Sequence, residues 1–318
     1  MRILITGVAG FAGRFLAEYL ASTTTAELSG LVRAPLPPDR QDRSLPGIKL
    51  FPADLTDAAA VARAVAAAQP DQVYHLAAAS SAVAPDQARV FAVNVAGTRH
   101  LLEACSRLGR PVRVLLASSG YVYGPCDPAR PAREEDPLRP PPGAYAESKR
   151  AMEQVAQDYL SEVLQILIAR PFNHTGPRQT PDFAVPAFAQ QIAQIERGQR
   201  EPLLRVGNLT PQRDLLDVRD VVRAYALLME RGQAGQVYNI CSGQAQAMGE
   251  LLNRLLALSD AAIEVVPDPQ RQRPSDLPVL VGDPSKLVQT TGWSPEIPLA
   301  QTLRETLDYW RREVGRPD

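Results

Sequence analysis

Only three lysines, Lys49, Lys149 and Lys286, occur among the 34 basic residues, and cysteine is as rare, with Cys105, Cys126 and Cys241 far apart. Cysteines so few and so scattered build no disulfide framework and fall into no metal-ligand spacing, so neither a stapled secreted scaffold nor a metal site is expected. Neither sign of charge is in excess. A formal net charge of -1 gives no electrostatic reason to bind nucleic acid or an anionic membrane surface. No apolar run approaches the roughly 20 residues that cross a bilayer. Met1 runs directly into the first strand-like run with no charged leader or cleavage site before it, so a cytoplasmic location is expected. No internal repeat is present, nor a low-complexity segment long enough to be a disordered tail.

What is present suits a globular protein with a large core. Apolar residues make up 45% of 318, and the length favours two domains over one. The apolar run Arg2-Ile-Leu-Ile-Thr6 leads straight into Gly7-Val-Ala-Gly10-Phe-Ala-Gly13, after which Phe11, Phe15, Leu16, Tyr19 and Leu20 recur at helical spacing. Strand, glycine turn and helix in that order are the context a dinucleotide site requires. The glycines permit a tight turn and close approach of the backbone to a pyrophosphate, and the helix N-terminus offers free N–H groups at the positive end of its dipole. A nicotinamide dinucleotide, NADPH or NADH, is the expected cofactor.

The first half of the chain alternates strand-like and helix-like segments. Strands are predicted over Leu28–Val32, Ile48–Phe51, Val73–Leu76, Val112–Leu116 and Leu164–Ala169, and helices over Ala58–Ala68, Asp86–Leu108 and Ala144–Glu162. Such alternation predicts an α/β fold with a doubly wound parallel sheet of the Rossmann type. Proline clusters at Ala34–Pro38 and Pro125–Pro142 read as loops, the second well placed to cover an active site. Beyond Pro171 the pattern loosens into a helix at Phe183–Gly198, a strand at Leu203–Val206, a helix at Val218–Arg231, a strand at Val237–Ile240 and a helix at Met248–Leu256. Residues 1–171 with about 212–240 are expected to form the dinucleotide domain, and about 172–211 with 241–318 a smaller substrate-binding lobe. The long helices Asp86–Leu108 and Ala144–Glu162 carry more apolar positions (Val90, Phe91, Val93, Leu101, Leu102; Met152, Val155, Tyr159) than one sheet face needs, so a homodimer built on a four-helix interface is expected.

The chemistry centres on Tyr145 and Lys149 in Gly143-Ala-Tyr-Ala-Glu-Ser-Lys149, downstream of Ser118-Ser119. Residues i and i+4 share a helix face, so the Lys149 ammonium is expected beside the Tyr145 phenol, lowering its pKa and fitting it to exchange a proton with a carbonyl or carbinol oxygen. The spacing by itself also fits a chance helix surface. Together with the glycine turn it points to hydride transfer.

The motifs Gly7-x-x-Gly10-x-x-Gly13, Asp54-Leu55, His75-Leu-Ala-Ala78, Asn94-Val-Ala-Gly-Thr98, Ser118-Ser-Gly-Tyr-Val-Tyr-Gly124, Tyr145-Ala-Glu-Ser-Lys149 and Arg170-Pro-Phe-Asn173 run in order over nearly the whole chain. In this the chain resembles the extended short-chain dehydrogenase/reductase family of nucleotide-sugar enzymes. The resemblance implies Ser119, Tyr145 and Lys149 as catalytic residues. It implies cofactor contacts at Gly7, Gly10, Phe11, Ala12, Gly13, Arg33, Asp54, Leu55, Leu76, Ala77, Ala78, Asn94 and Pro171, shared with Tyr145 and Lys149. Two roles stay open for Asp54, which either lies near the adenine amino group or caps the helix that begins near Asp57. Asn94 either hydrogen-bonds near the active site or packs, and the paired serines allow a strand-ending role, Ser119 being preferred by its spacing from Val122-Tyr123-Gly124.

Within that family, Arg170-Pro-Phe-Asn-His-Thr-Gly-Pro177, Val206-Gly-Asn-Leu209, Arg213-Asp-Leu-Leu-Asp217 and Gln272-Arg-Pro-Ser-Asp276 resemble the GDP-sugar branch of dehydratases and 4-keto reductases. A GDP-linked sugar is the implied substrate, held by Ser80, Ser119, Asn173, Val206, Arg213 and Arg273, the two arginines recognising a diphosphate or ribose. A 4,6-dehydratase needs a further acid/base carboxylate, which that group places at position 121, and here the residue is Tyr121. The resemblance therefore implies reduction of GDP-4-keto-6-deoxy-mannose to a GDP-6-deoxyhexose such as GDP-rhamnose. A dehydratase or epimerase of the same family is the alternative, and a non-catalytic dinucleotide sensor the alternative of another class. Arg33, about 20 residues beyond the last glycine, stands where an NAD-selective site presents an acid. With Arg14 beside the turn, it favours NADPH.

Overall fold

A computed structural model describes residues 1–33, 47–79, 86–139, 143–271 and 277–315. In the first half, β1 (Arg2–Thr6), α1 (Phe11–Thr23), β2 (Glu27–Val32), β3 (Lys49–Pro52), α2 (Ala58–Ala68), β4 (Gln72–His75), α3 (Gln87–Phe91), α4 (Gly97–Ser106), β5 (Val112–Ala117), α5 (Ala144–Tyr159) and β6 (Leu164–Pro171) follow one another. The second half adds β7 (Asn173–Thr175), α6 (Ala184–Glu196), β8 (Leu203–Val206), β9 (Gln212–Asp217), α7 (Val218–Arg231), β10 (Val237–Ile240), β11 (Ala245–Ala247), α8 (Met248–Leu256), β12 (Glu264–Pro267), β13 (Val279–Leu280), α9 (Ser285–Thr291) and α10 (Leu299–Glu313). Local chemistry fixes several starts. Asp57 accepts a hydrogen bond from the Ala60 N–H at the head of the alanine-rich α2, and Asp217 does the same for Arg219 at the head of α7.

Seven strands form one parallel sheet in the order β10-β6-β5-β4-β1-β2-β3, the doubly wound arrangement expected from the alternation. One face buries Leu16 and Leu20 of α1 with Val221, Tyr225 and Leu228 of α7, and the other buries Val61, Val65, Leu101, Leu102 and Met152. Strand order reverses between β1 and β4, so a crevice opens there at the carboxyl ends of the strands, where such sheets bind ligands. β7, β9, β11 and β13 make a second sheet, and β8 pairs with β12. Behind them Phe188 and Ile192 of α6, Leu251 and Leu255 of α8, and Leu303 and Leu307 of α10 form a separate core.

Two expectations change. The helix predicted over Asp86–Leu108 is interrupted by a turn of π-helix, Ala92–Ala96, between α3 and α4. Apolar periodicity continues on both sides of a single wide turn and does not reveal it. Of the apolar residues expected to face a partner, Val90, Leu101, Leu102, Met152 and Val155 are buried in this chain's own core; Phe91 is exposed, and Val93 and Tyr159 are half-buried. The proline cluster 34–38 lies outside the described residues, as do residues 140–142.

Asp214 of β9 ties the second sheet to the first. Its fully buried carboxylate accepts hydrogen bonds from Ser242 N (2.7 Å), Ser242 Oγ (2.7 Å) and Gly243 N (2.9 Å) just after β10, and from Gly282 N (3.4 Å) just after β13. Burial pushes its pKa up to about 6, against the pull of those donors. Asp214→Ala leaves these donors without their acceptor and is expected to remove about 3 kcal/mol of stability, each buried unpaired group costing ~1–3 kcal/mol. Denaturant unfolding at neutral pH checks it, and an unshifted midpoint would mean that the two loops are held by other contacts.

Candidate active site

The glycine turn after β1 has the shape a dinucleotide needs. Gly7 adopts φ +72°, a conformation strained for any other residue, and a Cβ placed there would lie 2.8 Å from the Ala77 backbone. A Cβ on Gly13 would lie 2.1 Å from the Gly7 carbonyl oxygen, and one on Gly10 3.0 Å from the same atom. Gly10 caps α1 without any side-chain hydrogen bond, so the free N–H groups of the first turn stay open to an anion. Beside them the Nε of Arg14 is buried without a partner. These residues fit a pyrophosphate. Phe11 and Ala12 occupy the first turn with Gly13, and Phe11 stacks on His174 with ring centroids 6.0 Å apart. Arg33 follows β2 with its side chain exposed.

Leu76, Ala77 and Ala78 leave β4 beside this turn, and the Ala77 N–H donates to Thr6 Oγ1 (3.2 Å). The same Thr6 hydroxyl bonds His75 Nδ1 (2.7 Å), whose Nε2 bonds Thr98 Oγ1 (2.9 Å). Burial, helped by the charge of Lys149, presses the His75 pKa down to about 3, so its ring is a neutral bridge between glycine turn and helix. Asp54 does not cap α2, that place being taken by Asp57. It accepts from the Thr56 N–H and hydroxyl, bonds that with the nearby arginines Arg33 and Arg89 hold its pKa low. Leu55 is buried against Gly97, where a Cβ would come within 2.7 Å of the Leu55 Cβ.

Ser119, Tyr145 and Lys149 meet at the end of β5. The Ser119 oxygen accepts from the Tyr121 N–H (3.2 Å) at the head of the 3₁₀ turn Gly120–Tyr123, and its hydroxyl donates to the Tyr145 phenol. Lys149 Nζ donates to the Ala117 carbonyl (2.7 Å) and lies 6.0 Å from the Tyr145 ring centroid. Tyr145 departs from expectation: burial pushes its pKa up to about 12, the Ser119 hydrogen bond pulling down and Tyr121 pushing further up. Lys149 directs its ammonium to the Ala117 carbonyl, and burial depresses its own pKa to about 8, with Glu153 opposing. Asn94, in the π turn, accepts from Ala79 N (2.8 Å) and donates to Ala79 O (3.0 Å) and Ser148 Oγ (2.9 Å). It joins the loop after β4 to the catalytic helix.

On the substrate side, Asn173 opens β7 with its Oδ1 buried and unpartnered, an acceptor aimed at no protein donor. Pro171 ends β6 in register with Ile240, and Val206 ends β8, buried. Arg213 is buried beside the Leu277 carbonyl, to which its Nη1 donates (2.7 Å). Ser80 and Arg273 lie outside the described residues. No cluster of metal-ligating side chains occurs among the described residues.

Residues 4–306 match the family model described as GDP-mannose 4,6 dehydratase. The chain belongs to the GDP-mannose 4,6-dehydratase family. This is the nucleotide-sugar branch of the extended short-chain dehydrogenase/reductases that its motifs resemble. A Pseudomonas aeruginosa GDP-6-deoxy-D-mannose reductase is 37% identical over 98% of both chains. The structure of RMD from Pseudomonas aeruginosa complexed with NADPH matches at a TM-score of 0.82 and 35% identity, covering 98% of this chain and 100% of that one. A Thermus thermophilus UDP-glucose 4-epimerase in complex with NAD matches at a TM-score of 0.85 and 31% identity, covering 98% and 99%.

Sequence reasoning gave no role to two residues that border this family site, Glu153, which it did not name, and Arg170, which it named only within a motif. Their signal was available: Glu153 follows Lys149 by four residues within the apolar stripe Met152, Val155 and Ala156, where an unpaired carboxylate has no reason to be. The cradle yields a direct test. Gly13→Ala pushes a methyl into the Gly7 carbonyl, overpacking that costs ~1–3 kcal/mol, and is expected to weaken NADPH binding in calorimetric titration more than it lowers the melting temperature. Unchanged affinity would place the pyrophosphate elsewhere.

Proposed function

We propose that the protein is an NAD(P)H-dependent reductase that converts GDP-4-keto-6-deoxy-mannose to a GDP-6-deoxyhexose, GDP-rhamnose being the favoured product. The observation that carries this reading is the turn Gly120–Tyr123, which sets the Tyr121 ring edge-on to Tyr145 at 6.3 Å and offers no carboxylate for elimination. Glu134, from the loop beyond it, is already engaged, its Oε1 accepting from the Asn239 N–H (2.7 Å). Similarity to the Pseudomonas aeruginosa reductase supports the same substrate class.

The bound nicotinamide would supply the hydride to the sugar carbonyl carbon. Tyr145 gives its phenolic proton to the carbonyl oxygen as charge develops there, and Ser119 donates a hydrogen bond to the same oxygen. Lys149 stabilises the tyrosinate left behind. Asn94 and Ser148 hold the helix that carries both. The unpartnered Asn173 oxygen and the guanidinium of Arg213 are read as substrate contacts, and Gly7, Gly10 and Gly13 as the pyrophosphate cradle.

We assign 1–171 with α7 and β10 to the dinucleotide domain and the remainder to the substrate lobe. The sheet order supports this, and because β9 pairs within the second sheet it moves the return crossing from about 212 to 218. The homodimer reading rests on Phe91, Val93 and Tyr159 along α3, the π turn and α5, and the cytoplasmic reading on the cysteine pattern.

Two substrates decide the reaction. The protein is expected to leave GDP-mannose untouched and to oxidise NADPH only with the 4-keto-6-deoxy sugar, and Tyr145→Phe to lower that turnover ~100- to 10,000-fold. Release of a 4-keto-6-deoxy product from GDP-mannose would overturn the reductase assignment. Steady-state kinetics with both cofactors should give NADPH a kcat/KM at least equal to that of NADH, since Arg33 rather than an acid directly follows β2 and Arg14 adjoins the glycine turn. Strong preference for NADH would refute that.

A further inference from the structure

We propose that Glu153 is a positioning residue of this site: its buried ion pair with Arg170 locks the end of β5 against the catalytic helix and keeps Lys149 cationic. The inference rests on the hydride-transfer reading above. Glu153 lies one helical turn beyond Lys149 and two beyond Tyr145, on the same face of α5. One carboxylate oxygen receives the Ser118 hydroxyl and Arg170 Nε (2.9 Å), the other Arg170 Nη2 (2.6 Å). Both side chains are almost fully buried, at 5% and 8% exposure for Arg170 and Glu153, so solvent screens the pair very little. Arg170 Nη1 continues to the Tyr123 hydroxyl (2.7 Å), which donates to Asn239 Oδ1 (2.7 Å), and Asn239 Nδ2 donates to the Ala132 carbonyl (2.9 Å). The network thus reaches from the catalytic helix through β6 to β10 and the loop before α5.

Three consecutive residues, the last of β5 and the two that follow it, are gripped by this face of the helix. Lys149 takes the Ala117 carbonyl, Glu153 the Ser118 hydroxyl, and Tyr145 the Ser119 hydroxyl. The charged and titratable groups facing Lys149 are Tyr145 and Glu153 on its own helix, His75 from β4 and, behind Glu153, Arg170 from β6. His75 is neutral and Tyr145 protonated near pH 7, so Glu153 is the one anion among them. Burial disfavours the ammonium and Glu153 opposes that effect. Removing the carboxylate charge while Arg170 stays also uncovers a second cation, and both changes favour the neutral amine.

Because the chain holds only Lys49, Lys149 and Lys286, ε-¹³C-lysine NMR follows Lys149 directly, with Lys149→Arg identifying its signal. The midpoint of Lys149 is expected to be highest in the wild type and lower by about one pH unit in Glu153→Gln, with the double variant Glu153→Gln/Arg170→Met between them. A role confined to stability would lower the melting temperature of the variants without this order. The double variant leaves no orphan charge in the core, so it carries the test where the single one does not fold; its midpoint equal to or above the wild type would overturn the proposal, as would a folded Glu153→Gln with an unmoved midpoint. The titration needs no substrate. Failure of the reductase reading would appear separately, as absence of NADPH oxidation by the wild type.

Discussion

Tyr145, Lys149 and Glu153 rise along one face of α5 four residues apart, and each holds a different residue at the end of β5. The site depends on that register. A slip of one residue turns an α-helix by about 100°, which would withdraw all three side chains at once. The flanks of the helix are fixed by independent means. Ser148 is bound by Asn94 from the π turn, and Met152, Val155 and Ala156 pack into the core on that side of the sheet. Apolar burial thus holds the helix, while the polar contacts choose its phase.

Electrostatically the site combines the buried Lys149 ammonium, the buried Glu153–Arg170 ion pair behind it, and groups made neutral by burial. His75 and Tyr145 are both shifted away from their charged forms, and the arginine-rich surface is screened by partners such as Asp217 and Glu305 at Arg219 or Glu18 at Arg178. Hydrogen bonds to the carbonyl of Ala117 and to neutral hydroxyls prepare the site without filling it with charge. Such an interior strengthens any charge that develops on a bound carbonyl oxygen, since fixed dipoles need not reorient to meet it.

How much of this was legible in the sequence depended on the range of the interaction. The glycine turn and the tyrosine–lysine pair are local, and the strand and helix runs around them placed the elements within a few residues. The return of Val218–Arg231 and Val237–Ile240 to the first sheet was legible because helix and strand periods recur there. What the sequence hid is long-range or sub-periodic. The bond from Ser118 to Glu153 spans 35 residues and that from Asp217 to Thr302 spans 85, and local periodicity names neither partner. Lys149 reads in sequence as a tuner of Tyr145, but its position against the Ala117 carbonyl follows from tertiary packing. Of the apolar residues on the two long helices, Val90, Leu101, Leu102, Met152 and Val155 enter this chain's own core, which periodicity alone does not distinguish from residues that face a partner.

The π turn at Ala92–Ala96 sets how the two ends of that helix are oriented. One extra residue in a turn resets the angular phase, so α3 and α4 belong to different rotational frames although the backbone runs on without a break. Val90 is buried from the helix before the turn, Leu101 and Leu102 enter the core on one face of the sheet from the helix after it, and Asn94 sits at the joint, where the Thr98 hydroxyl donates to its carbonyl (2.6 Å). The turn works as a phase coupling: it lets the core demand one rotation and the chemistry another, and a single-residue deletion there would make both halves obey the same one.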